Sequence, residues 1–154
     1  MSRLLSRFLG DRRGNSLLEF AFTLPLMVLL LSGTIEIGNH LRQANTVEKS
    51  LNAAALYIAR SDNPNDAAVQ SRAANLARTG TLDGSGNPLV TGWDSSDSIL
   101  DISVASHPAG DGDVPVIRLE ATVPYVPLVP GLMSFVGITK GIMRLSHEQA
   151  YVGN

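Results

Sequence analysis

Residues Leu17–Gly38 read LLEFAFTLPLMVLLLSGTIEIG, and between Glu19 and Glu36 no residue is charged. A helix of about twenty residues rising 1.5 Å per residue crosses a hydrocarbon core roughly 30 Å thick. Lipid offers the backbone no hydrogen-bond partners, so a spanning segment of this kind must be helical. A chain of 154 residues has room for one domain beside such an anchor. It has too little core to bury a helix that is apolar on every side. Residues 15–38 are therefore expected to form a transmembrane helix rather than the core helix of a soluble domain.

Charge gives the expected orientation. Arg3, Arg7, Arg12 and Arg13 precede the apolar run, opposed by Asp11 alone, and the next basic residue is Arg42. The positive-inside rule then places residues 1–14 in the cytoplasm and residues 39–154 on the periplasmic side of a bacterial inner membrane. A cleaved secretory signal is the rival reading, but the run is long for such a signal and no A-x-A site follows it. The net charge of −2, from 12 basic and 14 acidic residues, gives no general attraction to nucleic acid. The absence of cysteine excludes thiol catalysis, cysteine-based zinc sites and disulfide stapling.

Two residues in the apolar run stand out. Pro25 removes a backbone donor and is expected to kink the helix. Glu19 places a carboxylate at the edge of the hydrocarbon, where a charge costs up to a few kcal/mol if it lies deep and calls for a partner. Around it the chain reads Arg12-Arg13-Gly14-Asn15-Ser16-Leu17-Leu18-Glu19-Phe20. A short basic leader ending in glycine, then an apolar helix whose fifth residue is Glu, resembles the type IV prepilin class. The resemblance implies a cut by a prepilin peptidase between Gly14 and Asn15. A cut there creates an ammonium at Asn15, four residues before Glu19, on the same or a neighbouring helix, and supplies the missing partner. Glu19 and Phe20 are then the residues expected to serve intramembrane pairing and assembly. The residues alone also allow Gly14 simply to end the leader, with Glu19 at headgroup level.

More of the chain follows a narrower pattern. Glu19-Phe20-Ala21, Leu24-Pro25-Leu26 and Glu36, with Tyr125-Val126-Pro127-Leu128 near the C-terminus, resemble the TadE-like pseudopilins of tight-adherence (Tad, Flp-type) pilus systems. The resemblance implies a minor pseudopilin that acts in pilus assembly by helix packing. Its implied partners are the prepilin peptidase, other Tad pseudopilins or pilin subunits, the inner-membrane assembly platform and the lipid bilayer. The alternative is an unprocessed single-pass subunit of a periplasmic envelope complex or a ligand-binding module.

Beyond the membrane, Ile37, Leu41, Ala44, Val47, Leu51, Ala54, Ala55 and Ile58 share one face at helical period, so the helix is expected to continue through residues 39–59. Asn63-Pro64-Asn65-Asp66 stops it and caps a second helix over 66–79, which Gly80 ends. Alternating apolar residues predict strands near 98–105, 114–123 and 142–151, with a short apolar helix near 132–136. The expected fold is α+β: a long N-terminal helix, half transmembrane and half amphipathic, a second short helix, and a small antiparallel sheet of about three strands.

The segment holding Val126, Leu128, Leu132 and Phe135 is strongly apolar. It either covers the open end of the sheet or meets a partner subunit or the membrane surface. No catalytic constellation is visible. His40, His107 and His147 lack zinc spacing, and Trp93–Ser98 reads as a polar loop with Trp93 folded back on the domain. Asp111-Gly112-Asp113 suits a hairpin turn as well as calcium. The expectation is a protein that is not an enzyme and uses no cofactor or metal.

Overall fold

The computed structural model describes the backbone of residues 12–109, 112–135, 137 and 141–153, with side chains from Ser16 onward except at 109, 130, 133 and 135. Helix α1, Arg12–Ala59, is 48 residues long, about 70 Å at the standard rise. It passes through Pro25 without a break. Most of its N-terminal half is exposed. Leu17, Phe20, Phe22, Leu26 and Leu31 are all exposed. The helix contains an 18-residue window of mean hydropathy 1.9 of which only 6% is buried, long and apolar enough to cross a membrane. The core helix of a soluble domain would be mostly buried, so that reading falls.

The C-terminal half of α1 lies across a three-stranded antiparallel sheet. Strand β1 is Ile99–Ala109, β2 is Gly112–Tyr125 and β3 is Gly141–Ala150, in the spatial order β1-β2-β3. The first hairpin pairs Ala109 with Gly112, extending both strands beyond the boundaries that alternation suggests. Along β2, Ile117, Leu119, Ala121, Val123 and Tyr125 point inward, while Arg118 and Glu120 face solvent. They meet Val47, Leu51, Ala54, Ala55 and Ile58 of α1, all fully buried. Burial of this apolar area is the main force holding helix to sheet.

Helix α2, Ala67–Thr79, packs Ala73 and Ala77 into the same core. Asp66 caps its start by accepting the Ala68 N–H at 2.8 Å. Gly80, at φ 79°, ends it in the left-handed conformation that glycine adopts without a steric penalty. A second tie closes the far end of α1. The Tyr151 hydroxyl donates to the Ser61 carbonyl at 2.8 Å, and the Val152 N–H donates to the Ala59 carbonyl at 3.3 Å.

Two local expectations need correction. Ile37 and Leu41, placed by periodicity on the buried stripe, are 65% and 56% exposed. The residues that turn inward on that stretch are Glu36, Asn39 and Gln43. The end of the sheet opposite them offers backbone polar groups rather than apolar side chains, so the polar face is the better match. The Trp93 loop is more ordered than a polar loop. A 3-10 turn, Thr91–Asp94, seats Trp93 in the core beside Val90, as its expected folding-back requires.

Gly92 is buried in that turn, and a Cβ there would overlap the Pro124 carbonyl oxygen and lie 2.7 Å from Val123 Cγ1. Gly92→Ala is expected to destabilise the domain by about 1–3 kcal/mol through overpacking, read as a lowered unfolding midpoint of the detergent-solubilised protein.

Candidate functional site

Where α1 leaves its apolar half, Glu36, Asn39 and Gln43 project from one face at spacings of three and four residues. Opposite them β2 ends at Tyr125, and the chain reverses through Val126-Pro127-Leu128-Val129 into helix α3, Pro130–Phe135. This reversal cannot satisfy itself. Its tight path leaves the Leu128 and Val129 N–H groups with no ladder to join, and the prolines at 127 and 130 have no N–H at all.

Glu36 meets that need with one carboxylate. Its Oε1 accepts the Leu128 N–H at 3.2 Å and its Oε2 the Val129 N–H at 3.1 Å. The Tyr125 hydroxyl also donates to Oε1 in a short hydrogen bond. Asn39 Nδ2 donates back to the Tyr125 hydroxyl oxygen at 3.1 Å, and Gln43 Nε2 donates to the Val126 carbonyl at 3.0 Å. The His40 ring stands edge-on to Tyr125, with centroids 5.0 Å apart. Glu36 is only 6% exposed, so the carboxylate has exchanged water for three protein donors. Burial, and then the hydrogen bond and negative charge of Glu36, hold the Tyr125 phenol above the ordinary tyrosine range.

The positions singled out from sequence fall into separate groups. Gly14 and Asn15 lie in the first turns of α1, and their side chains fall outside the described residues. Glu19 and Phe20 are exposed on the apolar half of the helix. Among the described residues Glu19 makes no ion pair, although its carbonyl accepts the Thr23 hydroxyl at 2.8 Å. Val126 and Leu128 border the polar cluster and remain 39% and 59% exposed. Leu132 lines an open groove together with Leu24, Pro25 and Val28 of α1. The Phe135 side chain lies outside the described residues, as does Asp111 of the suggested calcium loop.

Sequence reading named Glu36 and the Tyr125–Leu128 segment without joining them, and it missed Asn39 and Gln43. The available signal was the spacing of Glu36, Asn39 and Gln43, which puts three polar side chains on one face just past the uncharged run.

The polar face that answers the chain reversal thus belongs to the same helix that carries the exposed apolar run. Residues 14–56 match the model of the TadE-like protein family. No match is found among curated proteins or among solved structures. The TadE-like segment includes Gly14, Glu19, Glu36, Asn39 and Gln43, and it ends before α2 and the sheet. The Tyr125 side of the cluster therefore comes from outside the matched segment.

Two outcomes test the cluster. In Glu36→Ala the Leu128 and Val129 N–H groups lose their acceptor, at about 1–3 kcal/mol for each group left buried. Residue-resolved hydrogen exchange in micelles should then show loss of protection at both amides, with Ala121 and Val123 in mid-strand much less affected. The raised Tyr125 pKa has a definite sign: the folded state favours the neutral phenol. Its contribution is fully present below the ordinary phenol range and is lost as pH rises beyond it. The phenolate absorbance lost in Tyr125→Phe should correspond to a group ionising above pH ~10, and Glu36→Gln should lower that midpoint.

Proposed function

We propose that the protein is a non-enzymatic minor pseudopilin of a Tad (Flp-type) pilus system. In this reading a prepilin peptidase cuts between Gly14 and Asn15. Residues 15–38 hold the mature chain in the bacterial inner membrane, N-terminus toward the cytoplasm and sheet domain in the periplasm. The chain then acts in pilus assembly by packing α1 against other pilin-like subunits and the membrane platform.

The observation that carries this reading is the TadE-like match over residues 14–56, which begins at Gly14. The unburied apolar half of α1 supports it, because a helix with almost no intramolecular partner is available to lipid and to neighbouring helices. Residue type supports the cut as well: glycine at position 14 costs about 1 kcal/mol of helical stability relative to alanine. Glu19 remains exposed in the apolar half without an ion-pair partner among the described residues. A new ammonium at Asn15, on the same helix or an adjacent one, would be such a partner.

Intact mass after co-expression with a prepilin peptidase tests the cut. Loss of residues 1–14, abolished in Gly14→Ala, is expected; a chain of unchanged mass would sink the reading and favour an unprocessed envelope subunit. Glu19→Ala should insert normally yet reduce piliation in the source bacterium. Wild-type piliation in that variant would remove the pairing role from Glu19.

A further inference from the structure

From Ala121 to Thr139 no residue is charged, the longest such stretch outside the membrane helix. Part of it returns toward the N-terminal half of α1. Val129, Gly131 and Leu132 face Leu24, Pro25, Val28, Leu29 and Ser32 across an open apolar groove of about 500 Å³. On α1, Leu29 and Ser32, which line this groove, are half-buried where residues 16–28 are exposed.

Depth follows from the helix. Glu19 and Glu36 stand about 25 Å apart along α1, less than the roughly 30 Å of a hydrocarbon core. Glu36 therefore sits at the edge of that core, and Val28 about 12 Å further in. A segment that faces Val28 across this groove lies at hydrocarbon depth.

Backbone at that depth is tolerated only when its polar groups are satisfied within the protein. Along residues 127–130 the reversal meets this condition on the donor side. Pro127 and Pro130 have no N–H, Leu128 and Val129 donate to Glu36, and Leu132 donates to the Val129 carbonyl at 3.1 Å. The Val126 carbonyl is occupied by Gln43. Its side chains at Leu128 and Val129 are nonetheless 59% and 37% exposed, an arrangement suited to an apolar surrounding and poorly suited to water.

We propose that residues 128–132 form a wedge embedded in the outer leaflet beside α1, with lipid acyl chains filling the groove between Leu132 and Pro25–Leu29. The chain then meets the bilayer at two places, and Glu36 is the device that lets the second one enter. This inference rests on α1 spanning the membrane with the sheet domain on the outer side, as proposed above, but not on cleavage or pilus assembly.

The chain has no cysteine, so single-cysteine variants carry one nitroxide each without further changes. Leu132→Cys and Leu128→Cys are compared in phosphatidylcholine–phosphatidylglycerol vesicles with Leu30→Cys on the exposed apolar helix and Ile99→Cys on the sheet, which are 60% and 60% exposed. Relaxation by oxygen, which partitions into lipid, is set against relaxation by a water-soluble nickel chelate. Labels at 132 and 128 are expected to favour oxygen several-fold over the label at 99, with 132 close to 30. Nickel access at both positions like that at 99 would overturn the wedge. Shielding from both reagents would also overturn it, showing a second protein chain in the groove. If the label at 30 is itself open to nickel, the membrane anchor fails and the wedge fails with it; if only the labels at 128 and 132 are open, the anchor stands.

Discussion

The carboxylate of Glu36 is the constraint on which the junction depends. Moving a carboxylate out of water costs several kcal/mol unless polar partners replace the lost hydration. Here the replacement consists of two backbone N–H groups and a phenol from one short stretch, residues 125–129. The relation runs both ways, since a reversal built around Pro127 and Pro130 has no internal acceptor for those N–H groups. Neither side is stable when buried alone. Together they fix the end of β2 against the point where the uncharged run of α1 ends.

Hydrophobic burial along Val47–Ile58 supplies most of the attraction between α1 and the sheet, but it is non-directional. A smooth apolar contact tolerates sliding of a helix along a sheet better than a set of hydrogen bonds does. The Glu36 cluster at one end and the Tyr151 bonds to Ser61 and Asp62 at the other supply the directional contacts. By contrast, Arg118 with Glu120 and Glu148 lies on the half-exposed outer face of the sheet, where such pairs contribute little. Position in the fold, rather than number of charges, decides which polar contacts matter.

Much of the architecture was legible from local chemistry. The uncharged run of α1, the Asp66 cap, the Gly80 stop and the alternation in β2 each act within a few residues, so sequence displays them directly. The inward face of residues 36–43 was not legible in the same way. Ile37 and Leu41 are more hydrophobic than Glu36 and Asn39, and periodicity ranks faces by hydrophobicity alone. What reversed the ranking is the exposed backbone of a segment about ninety residues later in the chain, and no local pattern carries that information. Trp93 is a milder case. Its return to the core was readable, but the 3-10 turn depends on Gly92 passing close to the Pro124 carbonyl, another long-range contact.

Continuity of α1 gives these contacts a consequence beyond stability. The helix runs from Arg12 to Ala59 without a break where its uncharged run ends, so there is no hinge to separate its apolar half from the sheet domain. Rotation of the apolar half about its own axis must turn Glu36, and Glu36 is bonded to the end of β2 and to the reversal after it. A neighbouring helix that packs near Glu19 would therefore set the orientation of the sheet about 25 Å away along the same rod. The wedge proposed beside Pro25–Leu29 opposes that rotation, because turning α1 would sweep Leu132 through lipid. The packing of the apolar half of α1 and the pose of the sheet domain are thus one mechanical variable, with Glu36 as the point at which they are joined.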